Sequence, residues 1–529
     1  MRWTPPIELT PRESHLCDRL AKHRRFYRFL RLHRHRLFDE AFQAELATLY
    51  SDTPRGNPPL PPALLATVLL LQAYADVSDE DAVQLAETDA RWQLVLDCLG
   101  ADDAPFKKTT LVDFRTRLVR AEMHAALLRR TVELARETRD FGFKQAAALR
   151  VAVDSVPRAG AGRVEDTLNL VGRALRLLVG AAAAMLTLEP AEVIAQVPLP
   201  VLAAPSIKAG LDRDWNARGA TDDALTELCC EVDALRGWLA ARLPDGVRTR
   251  AVAEADARVT RLRDQDAERN GSGGWRIRQE VAPDRQISLS DPSMRHGRKS
   301  ESVRIDGYKE YVAMDLDTGL TLAASVLPAN VAEARGADKL RASVEAHGVV
   351  SELHVDRAFL SSAWVAAAAT RDLAAVVGRA PRVVNGGLYP KTAFTLDLTA
   401  QTVTCPAGQR VVIRGGQAHF TLPMCGACPQ RAGCQKAGAK DGRTISIGPN
   451  EQLLQHLAAA PRTSAGRARL RERVAVEHTL AHQVRRRGRR ARYRGIAKND
   501  FDVCRIAAVN NLMAIDRRVR IAQAARANA

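Results

Sequence analysis

The central part of the chain alternates between apolar runs typical of buried strands and periodic stretches typical of helices. The runs AAALRVAVD, which ends at Asp154, and ELHVD, which ends at Asp356, predict strands covered on both faces. The segment GYKEYVAMDLDTGLTLAASVLP predicts a hairpin that turns at Asp317, Thr318 and Gly319. Helical stretches follow the hairpin and the second strand, and AAVVG predicts a short buried strand. This order of elements predicts a mixed α/β fold.

Helical patterns dominate the first part of the chain. KHRRFYRFLRLHRHRLF, from Lys22 to Phe38, predicts a basic amphipathic helix, and the Pro-rich TPRGNPPLPP ends this region. From Ala63 to about Arg136 several short helices are predicted, with Thr109 and Thr110 as N-caps. A helix-turn-helix that binds DNA and a plain helix bundle explain this pattern equally well.

Two insertions interrupt the α/β pattern. The residues from about Gly160 to Glu268 have Leu- and Ala-rich helical patterns, which predict a helical insertion. The residues from Arg379 to about Pro461 are rich in Gly and Pro, contain four cysteines and show little periodicity. The α/β pattern then resumes with RLRERVAVEHTLAHQV, which predicts one helix, and DFDVCRIAAVNNLMAI, which predicts the last.

Three acidic residues lie where such a fold could bring them together. Asp154 and Asp356 end predicted strands, and Glu477 is predicted to point toward the protein with the apolar stripe of its helix. A carboxylate in that position is costly unless it is paired, and a divalent cation shared with the two aspartates would pair it. Taken singly, each aspartate could form a helix cap or a turn, and Glu477 could form an ion pair with Arg473. Together they indicate a metal-dependent enzyme.

The composition points to a polyanionic partner. The 529 residues contain 78 Lys and Arg against 61 Asp and Glu, a net charge of +17, and 46% are hydrophobic. This length and composition predict two to four domains with a substantial interior, and the excess of positive charge favours nucleic acid. The longest apolar runs, from Ala63 to Leu71 with its continuation and from Leu177 to Leu188, are shorter than the roughly 20 residues of a membrane span. We therefore expect a soluble, intracellular protein without a membrane partner.

Arginines are concentrated directly after the Glu477 helix. The predicted DNA-binding residues in this segment are Arg485, Arg486, Arg487, Arg489, Arg490, Arg492, Tyr493 and Arg494. Phosphates would neutralise the mutual repulsion of so many charges and release counterions, whereas a solvated face is the simpler alternative. Tyr493 could stack on a base or anchor a helix end. A second predicted basic group consists of Arg295, Arg298, Lys299 and Lys309, for which surface solubility is an equal explanation.

The cysteines of the second insertion have the spacing C-x19-C-x2-C-x5-C. One CxxC pair with two outlying thiols is compatible with a tetrahedral Zn²⁺ site, although it is a weaker signal than two CxxC knuckles. If zinc binds, we expect the sulfurs to gather within about 4 Å of one another. The alternative is a set of unliganded thiols. The residues concerned are Cys405, Cys425, Cys428 and Cys434.

Several segments resemble the ribonuclease-H-like catalytic core of bacterial insertion-sequence transposases of the DDE type. DPSMRHGRKSESVRIDGYKEYVAMDLDTGLTLAASVLPAN resembles the basic loop, GYK, hairpin and PxN of that family. VEHTLAHQVRRRGRRARYRGIAK resembles its acidic helix and RYRG-type basic segment. CPAG with CGACPQRAGC resembles the cysteine insertion of one branch, and residues 60–125 resemble the N-terminal helical domain of that branch.

The resemblance implies a DNA transposase that cleaves and joins DNA at the ends of its element by in-line phosphoryl transfer. Asp154 would bridge two Mg²⁺ or Mn²⁺ ions, and Asp356 and Glu477 would each complete one site. Its partners would be double-stranded DNA, both the terminal inverted repeats and the target, and a second copy of the chain on that DNA. It would act in the bacterial cytoplasm, associated with the nucleoid. A catalytically inactive DNA-binding derivative and a nuclease of the same fold remain as alternatives.

These inferences predict an α/β fold with a ribonuclease-H-like mixed sheet flanked by helices, an all-α N-terminal domain, a helical insertion and a cysteine-bearing insertion. The predicted divisions are a helical DNA-binding or dimerisation domain (1–140), the catalytic core (145–159, 270–378 and 462–520), the helical insertion (160–269) and the cysteine-bearing insertion (379–461).

Overall fold

A computed structural model gives the fold of the protein. It describes residues 2–50, 58–138, 141, 148–243, 247–298, 302–382 and 384–527, with only the backbone for 483, 485–487 and 527.

The helices alternate with strands only after residue 148. The described helices are α1 (Pro11–Leu20), α2 (Arg25–Leu37), α3 (Glu40–Ala47), α4 (Pro62–Ala75), α5 (Asp79–Thr88), α6 (Ala90–Leu96), α7 (Lys108–Arg120), α8 (Ala126–Glu137), α9 (Thr167–Leu186), α10 (Pro190–Gln196), α11 (Pro200–Ala203), α12 (Ile207–Gly210), α13 (Ala220–Arg242), α14 (Arg250–Asp266), α15 (Glu333–Glu345), α16 (Ala363–Arg371), α17 (Leu422–Gly426), α18 (Arg431–Cys434), α19 (Glu451–Ala459), α20 (Ser464–Glu472), α21 (Val474–Arg487) and α22 (Ile496–Ala527).

The strands form a central sheet and two smaller ones. The described strands are β1 (Leu149–Ala159), β2 (Ala267–Arg269), β3 (Trp275–Ile277), β4 (Arg295–Arg298), β5 (Arg304–Asp315), β6 (Thr321–Pro328), β7 (Val350–His354), β8 (Val376–Val377), β9 (Thr395–Asp397), β10 (Thr402–Thr404), β11 (Arg410–Arg414), β12 (Gln417–Phe420) and β13 (Arg443–Ser446).

The central sheet is mixed, as the sequence predicts. Strands run in the order β4-β5-β1-β7-β8, with β6 also paired to β5. β1 is antiparallel to β5 and parallel to β7, and β5 and β6 form the predicted hairpin. Gly319 in its turn has a φ of 74°, a left-handed conformation that suits glycine. Helices α15 and α22 pack on β6, and α21 packs on β1 and β5. The α/β fold with a mixed sheet flanked by helices is confirmed.

The N-terminal region is all-α, but its basic helix is not a basic surface. Arg31 and Arg34 of α2 are each only 1% exposed. Arg31 is paired with Glu13, and Arg34 is paired with Asp97 and donates to the carbonyl of Val95. The predicted helix therefore forms as α2, but these two arginines lie inside the protein, where they pair with acids distant in sequence.

Two helix boundaries differ from those predicted. Thr109 and Thr110 lie inside α7 and are not its N-caps, since the helix begins at Lys108 after Lys107. The stretch predicted as one helix around Glu477 is two, α20 and α21, which meet at Arg473. The break explains why the apolar spacing in that stretch was irregular.

The first insertion is helical, from α9 to α14, with its own apolar core. Its helix α9 has 20 residues and is apolar enough to cross a membrane by length and composition. The apolar run predicted from Leu177 to Leu188 therefore underestimated the length of the apolar segment. Half of the most apolar stretch of α9 is buried. Its Leu170, Leu175 and Leu178 are fully buried in the same cluster as residues of α13 and α14, which is the packing of a core helix.

The cysteine-bearing insertion contains a five-stranded antiparallel sheet in the order β13-β12-β11-β10-β9. Phe394, Val403, Ala418, Phe420 and Ile445 form an apolar cluster on it. These strands were not recognisable from the local pattern because each has only three to five residues.

Candidate active site

Aligned residues of the adjacent strands β1 and β7 form successive rows across the central sheet. On the adjacent parallel strands β1 and β7, Arg150 is aligned with Glu352 and Ala152 with His354. Alternate residues of a strand lie on the same face. Asp154 lies two residues beyond Ala152 within β1, and Asp356 lies two residues beyond His354, just after the end of β7. Neighbouring strands are about 4.8 Å apart, so β1 and β7 bring the two aspartates into the same region of the fold, where the charge of Asp356 acts on Asp154.

Helix α21 covers this face next to the aspartates. Its Val476 is fully buried and packs with Ala152 of β1 and Met314 of β5. This contact fixes the start of α21, and thus Glu477 and the preceding Arg473, beside Asp154. β1 continues to Ala159, so Asp154 lies within the strand and not at its end as predicted.

Arg473 links two of the three candidate acids. Its Nη1 donates to Oδ2 of Asp154 at 3.1 Å, and its Nη2 donates to Oε1 of Glu477 at 2.6 Å. The Asp154 side chain is 17% exposed and that of Arg473 is 22% exposed, so this bridge is largely screened from water. The guanidinium thus neutralises part of the acidic group.

The electrostatics of Asp154 depend on the other two acids. Burial raises the pKa of the Asp154 carboxyl above its usual range. A hydrogen bond from the backbone N–H of Ser155 and the charge of Arg473 oppose this, while the negative charges of Glu477 and Asp356 raise the pKa further. Both acids therefore act on Asp154 across the site.

Glu477 does not point with the apolar stripe of its helix. Its side chain is 48% exposed, and Val474, which the stripe included, is 43% exposed. The buried positions of α21 are instead Val476 and Leu480. The ion pair with Arg473, one of the alternatives open at the sequence level, is present and joins Glu477 to Asp154.

A second acidic group lies in the row of Arg150. Within the described ranges, the ligand atoms of Glu352, His354 and Glu472 all lie within 4.8 Å of one another, which neither the three candidate acids nor the four cysteines do. Arg150 pairs with both glutamates and with Asp317. These ion pairs tie α20 to β1 and β7, and so they brace the helix pair that carries Arg473 and Glu477.

The arginine segment is partly committed to contacts within the protein. Arg490 donates to the carbonyls of Gly160 and Ala161, and Arg492 pairs with Asp76 at 2.9 Å. The ring of Tyr493 lies against the guanidinium groups of Arg115 and Arg505, at 5.4 and 5.9 Å, so it anchors the segment. Arg489 and Arg494 are exposed. The side chains of Arg485, Arg486 and Arg487 lie outside the described structure.

The second basic group is mostly interior. Arg295 is 6% exposed and pairs with Asp284, and Lys309 is 8% exposed and pairs with Glu333. Phosphate contact by these two residues is not supported, because their charges are already matched inside the protein. Arg298 is exposed. Lys299 lies outside the described residues.

The four cysteines line one small cavity in the second insertion. Its volume is about 20 Å³, with Cys405, Cys425, Cys428 and Cys434 in its wall. Burial raises the pKa of the Cys434 thiol, and the charges of the other three thiols raise it further. The sulfurs do not reach the spacing of about 4 Å that was predicted for a zinc site.

Sequence reasoning missed the positive partners of the acids. Arg473 was considered only as an alternative partner of Glu477, and Arg150 was not considered at all. The four-residue spacing between Arg473 and Glu477 on a helical pattern was the available signal for the first. No local signal identified Arg150, because its partners lie on three other elements.

Two sequence families match the chain. Residues 404–515 match the family described as "Transposase DDE domain", and residues 15–117 match that described as "Transposase domain (DUF772)". The first match includes Glu477, the four cysteines and the arginine segment, whereas Asp154 and Asp356 lie outside both. No curated protein and no solved structure matches the chain. The two family matches, together with the mixed α/β fold and the all-α N-terminal region, support an insertion-sequence transposase of the DDE type.

Proposed function

We propose that Asp154, Asp356 and Glu477 form the catalytic site of this transposase and hold divalent cations for cleavage and strand transfer at the ends of its element. The observation that supports the proposal is the contact of Arg473 with both Asp154 and Glu477. Asp356 follows β7, the parallel neighbour of the strand that carries Asp154, and its charge acts on Asp154.

The residues fit hard cations such as Mg²⁺ or Mn²⁺. The donor set consists of carboxylate oxygens, which these ions prefer. Asp154 is largely buried, and its ionised form is disfavoured by burial and by its acidic neighbours, so added positive charge would stabilise it. When bound, the metals would polarise the phosphate and activate the attacking and leaving oxygens.

The protein itself would supply position and charge. The packing of Val476 on Ala152 and Met314 fixes α21 on the sheet, and the ion pairs of Arg150 hold α20. Arg473 would release Asp154 and Glu477 when cations bind, because its guanidinium group occupies the space between these two proposed metal ligands. In this proposal it then turns to the phosphate, whose charge it matches.

A DNA-binding derivative without catalysis is the second candidate. The ion pairs of Arg473 with Asp154 and Glu477 support this candidate, because they neutralise both carboxylates without metal. Neutral amides in place of the acids would abolish cleavage if the acids are catalytic and would change no activity in a derivative without catalysis. A nuclease of the same fold would cut DNA and leave the cut ends unjoined.

Replacing Asp154 by Asn separates these possibilities. The variant should lose at least about a hundredfold in single-turnover cleavage of DNA carrying the terminal repeats that flank the gene, because electrostatic groups at reacting phosphates contribute on that scale. DNA affinity should stay near that of the wild type. The control Asp212→Asn makes the same change at an exposed position of the insertion and should cleave normally. Normal cleavage by Asp154→Asn would reject the catalytic role.

We further propose the zinc site and the assembly that the sequence suggested. The four thiols surround a cavity of about 20 Å³, which has room for a single ion, and this supports a zinc site there. At least two chains would act together on paired element ends in the bacterial cytoplasm. In this proposal residues 145–159, 270–378 and 462–520 form the catalytic core.

A further inference from the structure

A large cleft is lined in part by Thr479 and His482 of α21, the helix that carries Glu477. Its volume is about 710 Å³, and its walls come from the turn before α2, the β5–β6 turn, α21 and α22. Five side chains in its wall are cationic, namely Lys22, Arg24, Arg25, Arg517 and Arg520, against the single acid Asp516.

Most of this charge lacks a partner within the protein. Asp516 is paired with Arg520 at 3.1 Å. Across the described part of the chain, no carboxylate lies within 4 Å of Lys22, Arg24 or Arg517, and all three are exposed. Arginines elsewhere in this protein, such as Arg31 and Arg295, are paired with carboxylates. The cleft is therefore a concentrated, uncompensated positive surface.

Neutral polar groups in the wall add hydrogen-bonding capacity. Asn511 is used by the fold, since it bonds both the N–H and the carbonyl of Thr321. In contrast, the Nδ2 group of the neighbouring Asn510 is buried without an acceptor within the described residues. An unmatched donor beside cations suits an anionic oxygen.

Helix α21 connects this cleft to the candidate active site. His482, which lines the cleft, follows Glu477 by five residues, or about 7.5 Å along the helix axis at about 1.5 Å per residue. Thr479 also lines the cleft and donates to the sulfur of Met314 under the helix. A chain of phosphates at the acids would reach the cleft within a few nucleotides.

We propose that this cleft binds the phosphodiester backbone of DNA adjacent to the cleavage site, an inference that rests on the proposed function of the acids. One DNA strand binds to Lys22 and Arg24 from the N-terminal region, Arg517 from α22 and His482 from α21. The N-terminal region thereby contributes to the DNA channel of the core through its turn before α2 rather than through the surface of α2.

The test removes two of the unmatched charges. Lys22→Gln with Arg517→Gln should weaken DNA binding at least about tenfold near physiological salt and lower the slope of log affinity against log salt by about 1.8, at about 0.9 per lost phosphate contact. Binding is measured by fluorescence anisotropy without divalent cations, so the result does not depend on catalysis. The control Lys208→Gln with Arg218→Gln removes the same charges from exposed positions of the helical insertion.

The outcomes separate the cleft from the acids. Thermal unfolding of the cleft variant should match that of the control, so that weaker DNA binding is not a loss of folding. An unchanged salt slope, or an equal loss in the control, would overturn the proposal. So would intact DNA binding with an altered oligomeric state, which would assign the cleft to a protein partner. Failure of the acids would show instead as normal cleavage by Asp154→Asn.

A photoreactive residue in place of His482 tests the position of the strand. It should cross-link to nucleotides within roughly three positions of the cleavage site, because the distance along α21 corresponds to about that many nucleotides. Cross-links confined to distant nucleotides would contradict a path that joins the cleft to the acids.

Discussion

Arg473 lies between Asp154 and Glu477, where the proposed function requires a metal cation. Its two terminal nitrogens bond one carboxylate each, so it offsets the repulsion between Asp154 and Glu477 in the protein without metal. The same contacts must compete with cation binding. This double role gives a residue-level prediction that does not depend on activity.

Arg473→Gln should bind Mn²⁺ about tenfold or more tightly than the wild type. Unit charges a few ångströms apart interact by about 1 kcal/mol in water and by more when partly buried, so removing a competing positive charge favours the ion. The metal-free variant should also unfold at a lower temperature, and Mn²⁺ should restore more of that loss than in the wild type. Free Mn²⁺ is measured by electron paramagnetic resonance. Unchanged or weaker Mn²⁺ binding, or an equal effect in the exposed control Arg471→Gln, would contradict the competition.

The half-buried His33 and the buried His347 predict how stability depends on pH. Burial lowers the pKa of both His33 and His347 to about 4. The folded state therefore holds them neutral while the unfolded chain takes up protons below about 6.5, so stability falls as the pH drops from about 6.5 to 4. The hydrogen bond from Arg31 lowers the pKa of Glu13 to about 2, so its contribution is lost later, between about 4.5 and 2.

Thermal unfolding across this pH range checks the prediction. The midpoint of His347→Gln should fall less than that of the wild type between pH 6.5 and 4, and then in parallel with it. The exposed His15→Gln serves as the control. Equal falls in all three proteins would show that His347 is not held neutral in the folded state.

At the scale of elements, the arginine segment divides into a docked part and a part that we propose contacts DNA. Arg490, Arg492 and Tyr493 attach it to β1 and to the N-terminal helices. Arg489 and Arg494 remain exposed, and the sequence adds Arg485, Arg486 and Arg487. Removing charges from the two parts should therefore have different consequences.

Replacing Arg485, Arg486 and Arg487 by Ala should weaken binding to all DNA sequences and reduce the salt slope by about 0.9 per lost contact. Arg492→Ala should instead lower the thermal unfolding midpoint, because it breaks the pair with Asp76, with little effect on the slope. Salt-dependent binding and unfolding are measured on both variants. An unaltered slope in the triple variant would assign these arginines to solubility.

The cysteine-bearing sheet should bind one zinc ion per chain in protein purified without chelator. Cys428→Ser should lower the zinc content and leave cleavage in Mg²⁺ near the wild-type rate, because sulfur and oxygen sites select different metals. Substantially less than one zinc in the wild type would leave the four residues as ordinary thiols in a sheet that has its own apolar cluster.

The elements of the core were predictable where their patterns are local. The β5–β6 hairpin, α15, β7 and α16 follow directly from period and turn chemistry. The orientation of Glu477 was not predictable, because the helix breaks at Arg473 and the second helix begins with Val474 exposed. The burial of Arg31, Arg295 and Lys309 was also invisible, since their acidic partners are set by tertiary contacts.

At the scale of the whole molecule, the N-terminal helices and the central sheet are joined by α22. This helix packs on β6, α4 and α8, and its buried Arg505 bonds Gln72 and Asp502. Arg505 also lies over Tyr493 of the arginine segment. The basic cleft, the arginine segment and the acids are therefore positioned by one shared scaffold, as continuous DNA binding would require.

The central claim is that Asp154 is a direct ligand of the catalytic metal, and replacement by Cys tests it most directly. A thiolate suits Mg²⁺ poorly and Mn²⁺ better. Single-turnover cleavage by Asp154→Cys should therefore be lost in Mg²⁺ and recovered in Mn²⁺, with the ratio of the two rates at least about tenfold higher than for the wild type. A ratio equal to that of the wild type, in a variant that still cleaves DNA, would contradict metal ligation by Asp154.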